Sequence, residues 1–346
     1  LKKAYDQLSD ETFVLDKFRE FEEYKYKPAF NKLKVYRHRI RIRRWTIWGS
    51  SIAAVLILVF VLARPWKYNG NMQEFVKETQ HIIPPGSSMA ILKLADGRMI
   101  EIGKQPLKLK DTQGSVVKYE NGRLSYSSEK ETTITEAYNE LVVPVGGECH
   151  VLLEDGTGVW LNADSKLKYP IVFNGESREV VLSGEAYFEV KKDNRPFIVN
   201  LESGDITVLG TSFGVSAYPG YPNYTTLVQG SVRFTSLRRE QIVLTPGEQV
   251  VVDISGSLKK RSVDVEEFVG WKDGVFIFKD KPLAEIMKIL ERWYGVHVIF
   301  QDESLKELEY TGSLERYNSI NTFLQLLEKL EEIRYEIKEN TIVLFK

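Results

Sequence analysis

A stretch of 19 residues without one ionisable side chain constrains the fold of this chain more than any other feature. It runs from Trp45 to Ala63 with the sequence WTIWGSSIAAVLILVFVLA. A helix of that length spans about 28 Å, close to the roughly 30 Å of a hydrocarbon core, and lipid offers no partners for backbone groups outside a helix. Trp45, Trp48 and Trp66 lie near its ends, where indole rings favour the membrane interface. The sequence predicts one transmembrane helix over residues 45–64.

The basic residues around this span give it an orientation. Residues 25–44 contain nine Lys and Arg, whereas residues 64–83 contain three. The Lys- and Arg-rich side stays in the cytoplasm, so residues 1–44 are predicted inside and the larger C-terminal part outside. A cleaved signal peptide is a poorer interpretation, because 44 residues are too long for its basic leader. The residues expected at the lipid headgroups are Arg41, Arg43 and Arg44.

The N-terminal segment contains one amphipathic helix within residues 11–26. Val14, Phe18 and Phe21 recur at helical spacing, with Tyr24 following, so they form one apolar face. A segment of 44 residues has too little core to bury these side chains by itself. This face is therefore predicted either to bind a partner or to fold against a second copy of the same segment.

Beyond a polar linker at residues 65–83, the apolar pattern changes to strict alternation. Apolar runs are separated by Asp-Gly and Asn-Gly pairs, which two-residue hairpin turns require. These pairs are Asp96-Gly97, Asn121-Gly122, Asp155-Gly156 and Asn174-Gly175. The pattern predicts an all-β domain over residues 84–270, built either as a sandwich of stacked hairpins or as a β-helical roll.

Residues 271–346 alternate between strand and helix patterns. We expect strands at 275–278, 296–300 and 308–315, helices at 282–295 and 319–332, and a final hairpin around Glu339-Asn340. This order predicts an α+β module in which helices cover one sheet in two layers. Residues 342–345 are one candidate for a free sheet edge. The fold class is therefore mixed and multidomain, with the helical N-terminal segment and the span preceding the β domain.

The sequence lacks the minimum parts of the common enzyme classes, so we predict no enzyme activity, no metal and no cofactor. Cys149 is expected to pack in the interior, and His150 beside it points to the opposite strand face. Glu185 and Glu189 share a strand face that is expected to be exposed and acidic. Four aromatic residues could form a platform that binds carbohydrate, although in a β-rich fold such residues more often belong to the core. They are Trp160, Trp271, Trp293 and Tyr294.

Several sequence blocks together resemble one protein family. They are VPVGGECHVLLEDGTGVWLNADSKLKYP, REVVLSGEAYFEV, RPFIVNLESGDITVLGTSFGVSAY, TLVQGSV and LTPGEQ. In this order they resemble the periplasmic domain of FecR-type anti-sigma factors, and the resemblance spans residues 84–346. The tail GWKDGVFIFKDKPLAEIMKILERWYGVHVIF is similar to the extra C-terminal domain of FecR-like proteins that are paired with uptake transporters. Its layout resembles the short signalling domain of TonB-dependent receptors.

The resemblance implies a single-pass protein of the bacterial inner membrane, with a cytoplasmic N-terminus and a periplasmic C-terminus. Residues 1–44 would bind an extracytoplasmic-function sigma factor through the apolar face of Val14, Phe18, Phe21 and Tyr24. The periplasmic part would receive a signal from the signalling domain of a TonB-dependent outer-membrane transporter, and so control transcription of uptake genes. Direct nucleic-acid binding is not expected. The alternatives are a membrane-anchored periplasmic scaffold and a carbohydrate-binding protein.

Two local features of the resemblance carry separate expectations. Some FecR-like proteins cleave themselves at a Gly-Thr bond, which implies Gly210 and Thr211 as a cleavage site. The alternative is that Gly210 marks a β-bulge and Thr211 is an ordinary strand residue. The chain also departs from the family pattern, because residues 1–44 contain no Trp and Gly158 replaces a polar residue. The glycine is expected to affect only a turn.

Overall fold

The computed structural model describes residues 82–103, 105–110, 115–120, 122–128, 137–330 and 333–346. All of them belong to one compact unit, Glu74–Lys346. The predicted cytoplasmic segment, the predicted span and nearly all of the linker lie outside the described residues. Within the described part of the chain, no helix is both long enough and apolar enough to cross a membrane.

Strands dominate the first part of this unit, up to Ser262. Their bounds are β1 Ser87–Ser88, β2 Ala90–Lys93, β3 Met99–Ile102, β4 Leu107–Lys110, β5 Ser115–Glu120, β6 Arg123–Ser128, β7 Tyr138–Val143, β8 Gly147–Leu152, β9 Gly158–Leu161, β10 Ser165–Pro170, β11 Arg178–Glu189, β12 Phe197–Leu201, β13 Gly204–Val208, β14 Ser212–Ala217, β15 Asn223–Gln229, β16 Val232–Ser236, β17 Gln241–Leu244, β18 Glu248–Val252 and β19 Leu258–Ser262.

These strands pair into two sheets that share one long strand. The first sheet has the order β3-β2-β7-β10-β11-β12-β13-β16-β17. The second has the order β4-β5-β6-β8-β9-β11-β14-β15-β18-β19. Strand β11 passes from one sheet to the other at Gly184, whose φ is 100°. A Cβ there would lie 2.4 Å from Ser165 Oγ, so glycine is required at the crossing.

Inward-facing side chains of both sheets form one core. The first sheet contributes residues such as Leu141 and Leu167, and the second contributes Val151, Phe188 and Phe213, all of which are buried in a single cluster. A continuous core between two sheets is the arrangement of a β-sandwich. The structure therefore selects the sandwich from the two architectures that the sequence left open.

The predicted turns are present, but most have a different length. At Asp96-Gly97, the Leu94 amide donates to the Arg98 carbonyl, which leaves a three-residue loop with Gly97 at a φ of 87°. The loop at Asp155-Gly156 repeats this geometry. Glycine in the left-handed region closes such loops as a bulge, so the two-residue prediction was wrong for these two hairpins.

The other two predicted turns differ from each other. Glu120 pairs with Arg123, so two residues separate these partners, as the two-residue prediction requires. Asn174-Gly175 instead lies in the longer connection between β10 and β11, residues 171–177, and the two-residue prediction was wrong there. Gly158 is also misassigned to a turn, because it is the first residue of β9.

The C-terminal module follows with the predicted order of strands and helices. Its elements are α1 Glu266–Val269, a 3-10 turn Gly270–Asp273, β20 Val275–Pro282, α2 Leu283–Tyr294, β21 His297–Phe300, a 3-10 turn Glu303–Glu307, β22 Glu309–Glu315, α3 Ile320–Leu330, β23 Arg334–Lys338 and β24 Thr341–Phe345. Helix α2 ends at Gly295, whose φ of 66° closes its last turn. The hairpin of β23 and β24 turns at Glu339-Asn340 as expected.

The strand pairing in this module differs from the prediction of one sheet. Strands β20 and β22 form a two-stranded sheet, whereas β21, β24 and β23 form a separate three-stranded sheet. Strand β24 is central in the latter, parallel to β21 and antiparallel to β23. Residues 342–344 therefore have backbone partners on both sides, and the prediction of residues 342–345 as a free edge was wrong.

Buried faces of α2 and α3 build a second core. Helix α2 buries Ile286, Met287 and Leu290, and α3 buries Phe323 and Leu324. This core continues onto the sandwich, where it includes Tyr187 on the outer face of the second sheet and Ala163 between β9 and β10. The sandwich and the C-terminal module thus share a packed interface, which contains the candidate site.

Candidate functional site

Arg316 is the central residue of the interface between the sandwich and the C-terminal module. It follows β22, and its side chain is completely buried. Its Nη2 donates to Asn162 Oδ1 at 2.7 Å and lies 3.3 Å from Glu148 Oε2. Both of these partners belong to the sandwich, so one cation of the module is held by the other part of the unit. A buried charge of this kind requires such partners.

The aromatic surroundings of Arg316 complete its environment. Its guanidinium lies 3.6 Å from the centroid of the Trp293 ring, and the Trp293 indole N–H donates to the Arg316 carbonyl at 2.7 Å. Burial lowers the pKa of Arg316, while the nearby Glu148 carboxylate raises it. Arginine stays charged under such conditions, so the interface contains a permanent cation stacked on an indole.

Glu185 extends this polar network from the sandwich side. It accepts a hydrogen bond from Asn162 Nδ2 at 2.5 Å, and burial raises its pKa above the ordinary range although Arg292 and Arg316 lower it. The expected exposed acidic face is therefore wrong for Glu185, which the module covers, and correct for Glu189, which is exposed. Sequence periodicity placed both on the outer face but could not show that the module packs there.

The same interface holds the lead-in segment, residues 82–87, which connects the predicted linker to the sandwich. The Ile83 amide donates to Asn321 Oδ1 at 3.0 Å, and the Ser319 hydroxyl donates to the Ile83 carbonyl at 2.9 Å. Further along, a Cβ on Gly86 would lie 2.7 Å from the Trp293 carbonyl and 2.6 Å from the Gly146 carbonyl. The segment thus passes between the module and the sandwich with no space for larger side chains at Gly86.

His150 and Trp160 lie on the outer face of the second sheet. Their rings stack with centroids 4.0 Å apart and an interplanar angle of 9°. A Cβ on Gly158 would lie 3.1 Å from the Trp160 ring, so this glycine makes room for the stack. Burial lowers the pKa of His150 to about 4, and its Nε2 has no partner among the described residues. A neighbouring cavity of about 370 Å³ is lined by Lys118, Glu120, Arg123, Ser125 and His150.

The remaining candidates for chemistry are mostly structural. Cys149 is buried in the sandwich core, as predicted, and its burial raises the pKa of the thiol to about 12. Trp271, Trp293 and Tyr294 are core residues of the module, whereas Trp160 is half-buried. Among the described residues, no cluster of His, Cys, Asp and Glu has the arrangement of a metal site.

Gly210 and Thr211 connect β13 to β14. Thr211 is buried, and its hydroxyl donates to the Ser231 carbonyl at 3.0 Å. Neither residue has a positive φ, and the pairing of β14 with β15 has its extra residue at Val228 on β15, because Ser212 pairs with Gln229 and Phe213 with Leu227. The irregularity therefore lies on the partner strand and not at Gly210, and self-cleavage at this bond stays a prediction.

The residues predicted to contact a sigma factor or the membrane precede the part of the chain that the structure describes. They are Val14, Phe18, Phe21, Tyr24, Arg41, Arg43, Arg44, Trp45, Trp48 and Trp66, and all lie outside the described residues. Sequence reasoning also missed Arg316, Asn162 and Glu148. Asn162 lies within the sequence block that carries the family resemblance, but nothing in the sequence around Arg316 distinguishes it from a surface arginine.

The chain is similar to known proteins in both sequence and fold. The sequence profile described as "FecR protein" matches residues 139–233, and the one described as "FecR, C-terminal" matches residues 275–344. Two crystal structures, at 1.65 and 2.50 Å resolution, of a putative anti-sigma factor from Parabacteroides distasonis ATCC 8503 are 31% identical to this chain. They cover 60% of this chain and 98% and 99% of their own, with TM-scores of 0.55 and 0.56. The chain belongs to the FecR family.

Membership confirms the resemblance that the sequence blocks carried. The two FecR profiles fall on the two parts that meet at Arg316, since one covers strands of the sandwich and the other covers the C-terminal module. Among curated proteins, none matches this FecR-family chain. The interface at Arg316 therefore joins both FecR regions, and the lead-in segment passes between them.

Proposed function

We propose that this FecR-family chain is a transmembrane anti-sigma regulator of the bacterial inner membrane. Residues 1–44 bind an extracytoplasmic-function sigma factor, residues 45–64 span the membrane and residues 65–83 link the span to the periplasm. The β domain at 84–270 and the module at 271–346 receive the signal there. Family membership and the name of the Parabacteroides protein support the anti-sigma role.

The observation that carries this proposal is the contact between the module and the lead-in segment. Ile83 is buried, and its backbone is bonded on both sides by Ser319 and Asn321 at the start of α3. The segment leads directly to the predicted linker and span. A rearrangement of the module would therefore act on the chain that enters the membrane, which is what a transmembrane signal requires.

The proposed input is the signalling domain of a TonB-dependent outer-membrane transporter. The similarity of the module to the extra C-terminal domain of transporter-paired proteins supports it. Because β24 is paired on both sides, backbone pairing with such a domain would use β21 or β23, the outer strands of this sheet. Ile299 on β21 is half exposed, at 53%, and offers an apolar contact beside that edge.

The proposed output is a regulatory contact rather than an enzymatic reaction. An amphipathic helix with Val14, Phe18 and Phe21 on one face fits a groove on a partner protein. Binding would keep the sigma factor at the membrane, and the periplasmic signal would change the amount that is active. Transcription of the uptake genes that this sigma factor controls would change with that amount.

Transcript sequencing in the source bacterium tests the proposal. Three strains are compared: one lacking the gene, one complemented with the full chain, and one complemented with a chain that lacks residues 1–24 but keeps the nine basic residues of 25–44 and the span. We expect deletion to change transcription of a set of uptake genes, and only the full chain to restore it. Equal restoration by the truncated chain, at equal amounts in the membrane, would support a periplasmic scaffold instead.

A further inference from the structure

Two hairpin tips carry the most exposed large apolar side chains of the described residues. Leu237, between β16 and β17, is 74% exposed, and Ile254, between β18 and β19, is 77% exposed. The tips are neighbours, because Arg238 Nη2 donates to the Ser255 carbonyl at 3.4 Å. Apolar side chains of this exposure, adjacent on two loops, indicate a surface that contacts something apolar.

Both tips have defined shapes. In one, the Ser236 amide donates to the Glu240 carbonyl, which closes a three-residue loop around Leu237. In the other, the Asp253 carboxylate accepts from the amides of Ser255 and Ser257, and Ile254 is the first of the three residues in the loop between Asp253 and Ser257. The exposure of these side chains is therefore fixed by hydrogen bonds in the loops.

The charge around the tips is predominantly basic. Arg238 and Arg239 lie beside Leu237, both exposed, and neither forms an ion pair with a carboxylate in the described part of the chain. Asp253 is engaged by its own loop, and Glu240 is the exposed acid nearest in sequence to the two arginines. Apolar tips flanked by arginine are complementary to an anionic lipid surface, in which arginine meets phosphate and the apolar side chain enters the interface.

The tips lie at the end of the sandwich where the chain enters. Ser87 pairs with Gly147, the first residue of β8, and β8 begins where β9 ends. Through β11, β14 and β15, the same end of the second sheet continues to Val252, directly before Ile254. In the first sheet, Ser236 pairs with Gly204 at this end. The lead-in segment, Leu237 and Ile254 thus share one end of the molecule.

We infer that this end of the sandwich docks on the anionic lipid headgroups of the membrane in which the chain is anchored, through Leu237, Ile254, Arg238 and Arg239. The inference rests on the proposed topology, since a linker from the span to the lead-in segment brings this end toward the bilayer. Docking would fix the orientation of the sandwich over the membrane.

Vesicle binding by the fragment comprising residues 74–346, which is one compact unit, tests the inference. We expect the fragment to sediment with vesicles of equal phosphatidylcholine and phosphatidylglycerol, and not with phosphatidylcholine alone. The pair Leu237→Ser and Ile254→Ser should weaken binding at least tenfold, roughly, because two apolar side chains no longer enter the interface. The pair Arg238→Gln and Arg239→Gln should weaken it by a similar factor and reduce its dependence on salt.

A matched control separates the tip from exposed leucine in general. Leu209 is 55% exposed and follows β13 at the opposite end of the sandwich, so Leu209→Ser should leave vesicle binding unchanged. Equal loss in this control, or no binding of the unsubstituted fragment to anionic vesicles, overturns the inference. Tip variants that change self-association but not vesicle binding would assign the surface to a second copy instead. The fragment lacks residues 1–44, so failure here is distinguishable from failure of the transcript test.

Discussion

Arg316 is a buried cation whose partners come from a different part of the fold. Asn162 and Glu148 supply its polar contacts, and Trp293 covers its guanidinium. Removing such a cation leaves the Asn162 amide and the Glu148 carboxylate without their partner at the interface. Removing one partner of a buried ion pair destabilises a protein strongly, because the other charge stays buried without compensation. Replacing the whole pair by apolar side chains costs less.

We therefore expect Arg316→Met to lower the free energy of unfolding of the 74–346 fragment by about 3 kcal/mol. Urea denaturation, followed by tryptophan fluorescence, measures the change. Arg334→Met is the matched control, because Arg334 is exposed at the start of β23 and its loss should cost less than about 0.5 kcal/mol. Similar losses in both variants would show that the interface of Arg316 contributes no specific stability.

His150 gives the fold a pH dependence whose sign can be worked out. Burial lowers its pKa to about 4 in the folded chain, whereas the ordinary value of 6.5 applies to the unfolded chain. As pH falls from about 6.5 towards 4, the unfolded state binds a proton that the folded state resists, so stability is lost over this window.

His150→Phe keeps a ring against Trp160 and removes the titration, so this part of the acid loss should disappear. Because Nε2 of His150 has no partner among the described residues, the substitution removes no hydrogen bond of that atom. Thermal melts of the fragment at pH 7 and pH 5 measure the effect, with His297→Phe on the exposed start of β21 as the control. If wild type and His150→Phe lose the same stability between these pH values, the assignment to His150 is wrong.

At the scale of elements, alternation and helical spacing located most of the strands and both long helices of the module. The apolar faces of α2 and α3 follow directly from residues three and four apart, such as Ile286 and Leu290. The lengths of the turns could not be predicted in the same way, because Asp-Gly pairs occur in both two-residue and three-residue hairpin loops. The central position of β24 was not predictable either, since strand neighbours depend on long-range pairing with β21.

The contact between α3 and the lead-in segment makes a prediction for local opening. Asn321→Ala removes the acceptor of the Ile83 amide, so hydrogen exchange at Ile83 should accelerate at least tenfold, roughly, while the core strands keep their protection. Exchange measured by NMR or mass spectrometry resolves the two regions. Thr322→Ala, an exposed neighbour on the same helix, is the control and should leave Ile83 protected. Unchanged exchange in Asn321→Ala would remove this contact from the proposed signal path.

At the scale of the molecule, the sequence predicts the order of the β-rich part and the C-terminal module along the chain. It does not predict how they pack against each other. The family blocks and the change of apolar period separated a β-rich part from an α+β module, and both carry FecR matches. The covering of Glu185 by the module had no sequence counterpart, because an outward-facing glutamate looks the same whether solvent or another element lies over it. The interface that carries the proposed function therefore emerged only from the structure.

Co-purification tests most directly whether this FecR-family chain binds a sigma factor through residues 1–44. The full chain, tagged after Lys346 and extracted from membranes, should retain a sigma factor identified by mass spectrometry. Phe18→Asp with Phe21→Asp should abolish that retention, whereas Glu23→Lys, on the opposite side of the predicted helix, should preserve it. Retention of the same sigma factor by the Phe18 and Phe21 variant, at the wild-type amount, would contradict the account.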